Sequence, residues 1–359
     1  MYGTPLPWHS LTNLNMDFCS DFVNISCLGT IRSPASYSVM IIVMLGAIIL
    51  TTIGNLMVII SVSHFKQLHS PTNFLILSLA VTDFLLGLVI MPYSMVRSLT
   101  SCWYFGDLFC KLHGCIDMAL STSSIFHLFF ISVDRYYAVC QPLHYYKCIT
   151  NNVIQVFLFI SWSVSCLYSF GLVFSNIHTE GIQHYIASFT CTGSCSLAFN
   201  KIWGAISALI SFFIPGTLMI GIYIHIFSVA NKQAKHMHNH HNIQPDRPSI
   251  QIKVSVRAES KAAKTLSIVM GVFLFCWLPF FILTIVDPYI NFSTSEHVYS
   301  TVLWLGYFNS ALNPIIYALF YPWFQKTFQF IITGNIFKAG SSFSQVLHFQ
   351  LWFPAMPYY

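Results

Sequence analysis

The stretch "LHGCIDMALSTSSIFHLFFISVDRYYAV", residues 112–139, decides the fold of this chain. It is long and apolar enough to cross a bilayer, which needs roughly 20 residues of helix. Yet it carries a carboxylate, Asp117, and ends in an acid–base pair, Asp134 and Arg135. At about 1.5 Å per residue, Asp117 lies about 10 Å below Cys110 and about 27 Å from Arg135. A charge at that depth is expensive, and such residues mark functional sites. The stretch therefore predicts a spanning helix with an ionisable site in its outer third.

The whole chain agrees with a membrane solvent. It has 359 residues, 55% hydrophobic and 8% charged, with a mean hydropathy of +0.66. Soluble domains carry about 25% charged residues. The formal charge of +5 is mild and dispersed, with no basic stripe to read nucleic acid. Seven stretches are long and apolar enough to span: 37–62, 74–95, 112–139, 153–174, 202–229, 265–286 and 298–320. The expected fold is an all-α, seven-helix transmembrane bundle. Residues 1–36 form the outer segment, 37–320 the membrane domain, 321–335 an amphipathic surface helix and 336–359 a cytoplasmic tail. The start, "MYGTPLPWHS", lacks the basic opening and early apolar run of a cleaved signal, so the first span is expected to serve as the insertion signal.

Basic residues set the orientation. Alternate connections, with the tail, hold Lys66, Arg135, Lys147, Lys232, Lys235, Arg247, Lys253, Arg257, Lys261, Lys264, Lys326 and Lys338. The other side holds only Arg32, Arg97, Lys111 and Lys201. The first side is cytoplasmic and the N-terminus lies outside. Sequons at Asn24 and Asn291 both fall on the outer side, where N-glycosylation occurs. Cys19, Cys27, Cys102, Cys110, Cys191 and Cys195 also lie there, where disulfides persist. Six cysteines allow fifteen pairings, which sequence alone leaves open. Cys115, Cys140, Cys148, Cys166 and Cys276 are expected to be free thiols. The His-rich run "KHMHNHHNIQPDRP", 235–248, reads as a solvated loop, because no acidic or cysteine ligand stands among its four histidines, 236–241.

"GNLMVII" (54–60), "LSLAVTD" (77–83), "DRYYAVC" (134–140), "CWLPF" (276–280) and "NPIIY" (313–317) each fall on a different span, the first, second, third, sixth and seventh. In that order they resemble the rhodopsin-like G protein-coupled receptors. Longer strings, "SHFKQLHSPTNFLI", "MPYSMVRS", "SCWYFGDLFCK" and "AAKTLSIVMGVFLFCWLPFF", resemble the trace amine-associated receptors. The resemblance covers roughly residues 35 to 335.

The resemblance implies roles. Asp117 would hold a ligand's ammonium, with Tyr307 supporting the carboxylate. Trp277, Phe280, Phe281 and Trp304 would form an aromatic wall, which suits both an amine and an aryl ring. Ser207 and Ser211 would meet polar groups at the ligand's far end, unless they serve only close helix packing. The fifth span has no acid, which favours a ligand with one amine, such as an arylalkylamine. Asp83, Asn55, Ser124, Asn309, Ser310 and Asn313 match a polar cluster that often holds sodium. An ion-free hydrogen-bonded network would use the same residues. No other cofactor and no catalytic group is implied. Asp134, Arg135, Glu259, Tyr223 and Tyr317 match the switch that engages a heterotrimeric G protein. Kinks at Pro215, Pro279 and Pro314 would make the spans bistable. The family pattern pairs Cys110 with Cys195, Cys19 with Cys191 and Cys27 with Cys102.

The implied function is a plasma-membrane receptor for small primary amines, raising cyclic AMP through a stimulatory or olfactory G protein. An orphan receptor with a non-amine ligand, or another biogenic amine receptor, is the alternative. A retinal protein would need a lysine in the seventh span, which has none. A transporter would commonly show repeated halves, and the sequence shows no repeat. No nucleophile–base or metal constellation lies in the spans, so an enzyme is not expected.

Overall fold

The computed structural model describes residues 33–184, 186, 194, 195, 197–241, 248–338 and 340–343, with backbone alone for 233–241, 248–264, 266 and 343. Cys19, Asn24, Cys27 and Cys191 lie outside the described residues, as does the side chain of Glu259.

Five helices start where the sequence supplies a side-chain cap. Ser33, Ser70, Thr150, Asn200 and Ser295 accept a backbone N–H from the third residue beyond, satisfying donors that the first turn leaves open. Pro34 and Pro71 follow two of these caps, where the missing N–H is harmless. The helices are α1 (Pro34–His64), α2 (Pro71–Thr100), α3 (Asp107–Cys140) and α4 (Asn151–Phe174). Then come α5 (Lys201–His241), α6 (Pro248–Val286), α7 (Glu296–Phe320) and the short α8 (Pro322–Ile332).

Six of these, α1 to α6, are long and apolar enough to cross a membrane by length and composition. The seventh, α7, has 25 residues but buries Tyr307, Asn309, Ser310 and Asn313. Its polar side chains lower its hydropathy because they face the bundle. The pattern is inside-out relative to a soluble protein. Phe275 and Leu167 are 72% and 75% exposed, whereas Asp83, Asn55 and Asp134 are buried. Lipid, not water, meets the outer face.

Two helices are widened. In α2 the turn Leu86–Ile90 has one residue more than an α-turn, and in α5 the turn Leu209–Phe213 does the same. Each precedes a proline by two residues, at Pro92 and Pro215. A proline has no N–H for the carbonyl four residues earlier and clashes with it; the wide turn removes that conflict. One extra residue rotates everything beyond it by about 100°. Residues 93–100 therefore present a different face to the bundle than an unbroken helix would.

Apolar packing falls into two layers. One cluster includes Leu86, Ile90, Leu120 and Tyr307; the other includes Val58, Leu79, Ile125 and Phe273. Asp83 and its partners separate them along each helix. A second polar junction locks α2, α3 and α4 together. His127 meets the Ser123 carbonyl through Nδ1 at 2.7 Å and Ser78 Oγ through Nε2 at 2.7 Å. The Trp162 indole N–H donates to the same Ser78 oxygen at 3.0 Å. Replacing Ser78 by Ala would leave the indole N–H and one imidazole nitrogen unpaired in a dry interior. The expected cost is about 1–3 kcal/mol, read as a lower melting temperature in detergent; an unchanged melting temperature would contradict this pinning role.

Candidate ligand site

At the outer half of the bundle a cavity of about 100 Å³ opens between α2, α3, α5, α6 and α7. One water needs roughly 10–15 Å³ on this measure, so the space takes a small organic molecule. Asp117 lines it, with Trp277, Phe280, Phe281, Ser207 and Ser211. Tyr307 stands beside the lining and donates its O–H to Asp117 Oδ2 at 2.6 Å. Ser121, one turn along α3, donates to Oδ1 at 3.4 Å.

The carboxylate is held by a chain of hydrogen bonds with one direction. Tyr307 donates to Asp117, so its oxygen accepts from Ser94, 3.2 Å away. Ser94 Oγ lies 3.3 Å from His113 Nε2, which donates to the Ile90 carbonyl at 3.1 Å. Ser94 sits beyond the widened turn of α2, and His113 one turn above Asp117 on α3. Sequence reading missed both; a serine two residues after a proline in a spanning helix is the signal that could have found Ser94.

The aromatic wall is built by α5 and α6. Phe281 stacks on Phe212 at 4.8 Å, and Trp277 meets Phe280 edge-on at 5.7 Å. A Cβ on Gly306 would lie 2.8 Å from the Trp277 ring. Glycine there lets α7 approach the indole, one residue before Tyr307. Trp304, expected on the wall, stands behind Tyr307 at 5.5 Å, and its indole N–H donates to Ser98 at 3.0 Å. Trp304 lies one turn from Tyr307 on the same side of α7, but its bond to Ser98 turns the indole toward α2 and out of the lining.

On α5, Ser207 accepts from Tyr168 at 2.6 Å, which leaves its own proton for a ligand. Ser211 accepts from Thr122 at 3.4 Å. The lid is the connection before α5. Cys110 is bonded to Cys195, as the family pattern implied. Leu197 rests against Gly114, where any Cβ would collide with it. Leu197, Phe199 and Arg97 complete the lining. Cys102 is also disulfide-bonded. Cys115, Cys140, Cys148, Cys166 and Cys276 are free. Asn291 is exposed with φ of 55°, in the outer loop before α7.

Deeper in the bundle, Asp83 accepts from Ser310 at 2.7 Å, Asn313 at 2.8 Å and Ser124 at 3.3 Å. Asn55 donates to the Ser310 carbonyl at 3.1 Å. The amide oxygens of Asn55, Asn309 and Asn313 are buried without a hydrogen-bond partner among the described residues. Orphaned buried oxygens around one carboxylate fit a hard cation or ordered water.

At the inner end, Arg135 donates to Asp134 through Nε at 2.9 Å and Nη2 at 2.6 Å. Thr72 and Tyr145 also donate to Asp134, at 2.8 Å and 2.9 Å. Tyr223 and Tyr317 are buried nearby, Tyr317 edge-on to Tyr321 at 5.7 Å.

The chain matches the family described as 7 transmembrane receptor (rhodopsin family) over residues 54–317. It is 56% identical over 344 residues to trace amine-associated receptor 4 of Mus musculus, covering 96% of this chain and 98% of that one. It is 50% identical to trace amine-associated receptor 13c of Danio rerio over 325 residues, covering 90% and 94%. Against trace amine-associated receptor 1 of Macaca mulatta it is 46% identical over 332 residues, covering 91% and 97%. This chain belongs to the trace amine-associated receptors. It is a rhodopsin-family receptor, a multi-pass protein of the plasma membrane and not an enzyme.

One histidine packs beneath the lid. His178 lies outside the spans, buried, its Nδ1 3.1 Å from the Leu172 carbonyl. Burial lowers its pKa below the ordinary value near 6.5. The folded state therefore takes up this proton less readily than the unfolded one. The stabilisation is complete above about pH 6.5 and is lost as pH falls through the lowered native value. Melting temperature should decline on acidification, and less steeply in His178→Asn. Parallel declines would contradict the assignment.

Proposed function

We propose that this receptor binds a small primary amine, of the arylalkylamine kind, and signals through a stimulatory or olfactory G protein to raise cyclic AMP. The observation that carries the reading is Asp117, the only carboxylate among the described residues lining the cavity, supported by Tyr307 and faced by aromatic rings. A carboxylate in a dry pocket is costly alone and favourable beside a cation. The relatives' printed names point the same way.

The ammonium enters from the outside and pairs with Asp117, replacing water. Tyr307 keeps one carboxylate oxygen occupied and orients the other. The aryl ring lies against Trp277 and Phe281, and its far edge reaches Ser207 and Ser211. The ring presses on Trp277, which is already hard against Gly306. The indole can relieve this only by moving with α6, whose Pro279 supplies the hinge. At the inner end, Arg135 leaves Asp134 and takes up the G protein. Glu259 is the second acid expected to hold Arg135 at rest. A sodium ion, where bound, would be held by Asp83, Ser124, Ser310, Asn309 and Asn313, and would add fixed positive charge there.

The test is a cyclic AMP assay in cells expressing the receptor and Asp117→Asn, against a panel of amines. An arylalkylamine should activate the receptor, and the substitution should weaken the response by about 100-fold or more with surface expression retained. A response that survives the substitution, or one confined to diamines, would contradict the reading.

A further inference from the structure

A second fixed charge faces the cavity. Arg97 lies in the last turn of α2, beyond the widened turn that brings this face inward. It lines the same cavity as Asp117. Its Nη1 donates to the backbone carbonyl of Cys195 at 3.0 Å, a neutral acceptor in the lid. Among the described residues the one close ion pair joins Arg135 to Asp134; Arg97 makes no such contact, and the carboxylate within reach of its charge is Asp117 across the cavity. Among the described residues the lining holds one carboxylate and one guanidinium, and no other Asp, Glu, Lys or Arg.

We propose that Arg97 selects the ligand class: it rejects an amine bearing a second positive charge and accepts one whose far group is an anion. The inference rests on the amine reading of Asp117. Once an ammonium neutralises Asp117, the cavity's remaining fixed charge is Arg97. A second ammonium on the same small molecule then meets a like charge in a poorly screened space, whereas a carboxylate meets a planar donor fork. Like-charge juxtaposition against the wrong ligand is a common source of specificity. The absence of an acid on α5 fits this reading, because a dication would find no second anion there either. Arg97 spends one donor on Cys195, and a guanidinium has five, so a ligand's carboxylate can be received without releasing the lid.

The test uses one chain length with three far ends: pentylamine, 1,5-diaminopentane and 5-aminopentanoic acid. 2-Phenylethylamine serves as the reference agonist. Cyclic AMP responses are measured in the native receptor, Arg97→Gln and Arg97→Glu, with surface expression by antibody. In the native receptor the diamine should be the weakest, and the amino acid at least as potent as pentylamine. Arg97→Glu should invert the order, improving the diamine about ten-fold or more relative to pentylamine. Arg97→Gln keeps an N–H donor for Cys195 and should level the three. If 2-phenylethylamine responds but the charge order is the same in all three receptors, Arg97 does not select charge. If no amine responds in surface-expressed native receptor, the amine reading falls and this inference with it.

Discussion

A carboxylate carried below the outer rim of an apolar bundle must be met by donors or by a cation. Asp117 is met by both kinds of provision. Tyr307 and Ser121 supply donors now, and the cavity in front supplies room for a cation. Much of the outer bundle follows from that requirement. The Tyr307 oxygen needs a donor, which Ser94 supplies. Ser94 faces inward because α2 widens before Pro92. Gly306 lets α7 approach Trp277. The Cys110–Cys195 bond holds the lid over the result.

The inner half answers a similar demand with different means. Asp83 and Asp134 do not line the outer cavity. Asp83 is surrounded by hydroxyl and amide donors, and Asp134 by hydroxyls from other segments and the guanidinium beside it on α3. Three carboxylates thus sit at three depths, each with partners contributed by other helices. Donors that cross between helices tie the response at one depth to the packing at the next. This is the form in which a ligand at Asp117 can be felt at Arg135.

The spans were legible because lipid imposes one simple rule on every helix. Asp117, Asp83 and Arg135 were legible for the same reason: ionisable residues stand out in apolar sequence. The cavity residues on α5 and α6 follow helical spacing, and Ser207, Ser211, Trp277, Phe280 and Phe281 all face it. Arg97, Ser94 and His113 were not legible. The first two lie beyond a widened turn that shifts the helix face by about 100°. His113 reads as one more polar residue near a helix start until Ser94 and Ile90 are placed beside it. Leu197 and Phe199 come from an irregular lid, whose path no periodicity describes. Trp304 shares a face of α7 with Tyr307, but its indole is turned toward Ser98 on α2, a side-chain choice that spacing does not reveal.

The central claim is that ligand affinity comes from a charge pair at Asp117. The most direct measurement is binding to purified receptor of 2-phenylethylamine and of a neutral isostere, 2-phenylethanol, each with native protein and Asp117→Asn. The account predicts that the amine loses about 100-fold or more in affinity while the alcohol is almost unaffected. Equal losses for both ligands would show that Asp117 shapes the cavity without pairing with charge, and would contradict the account.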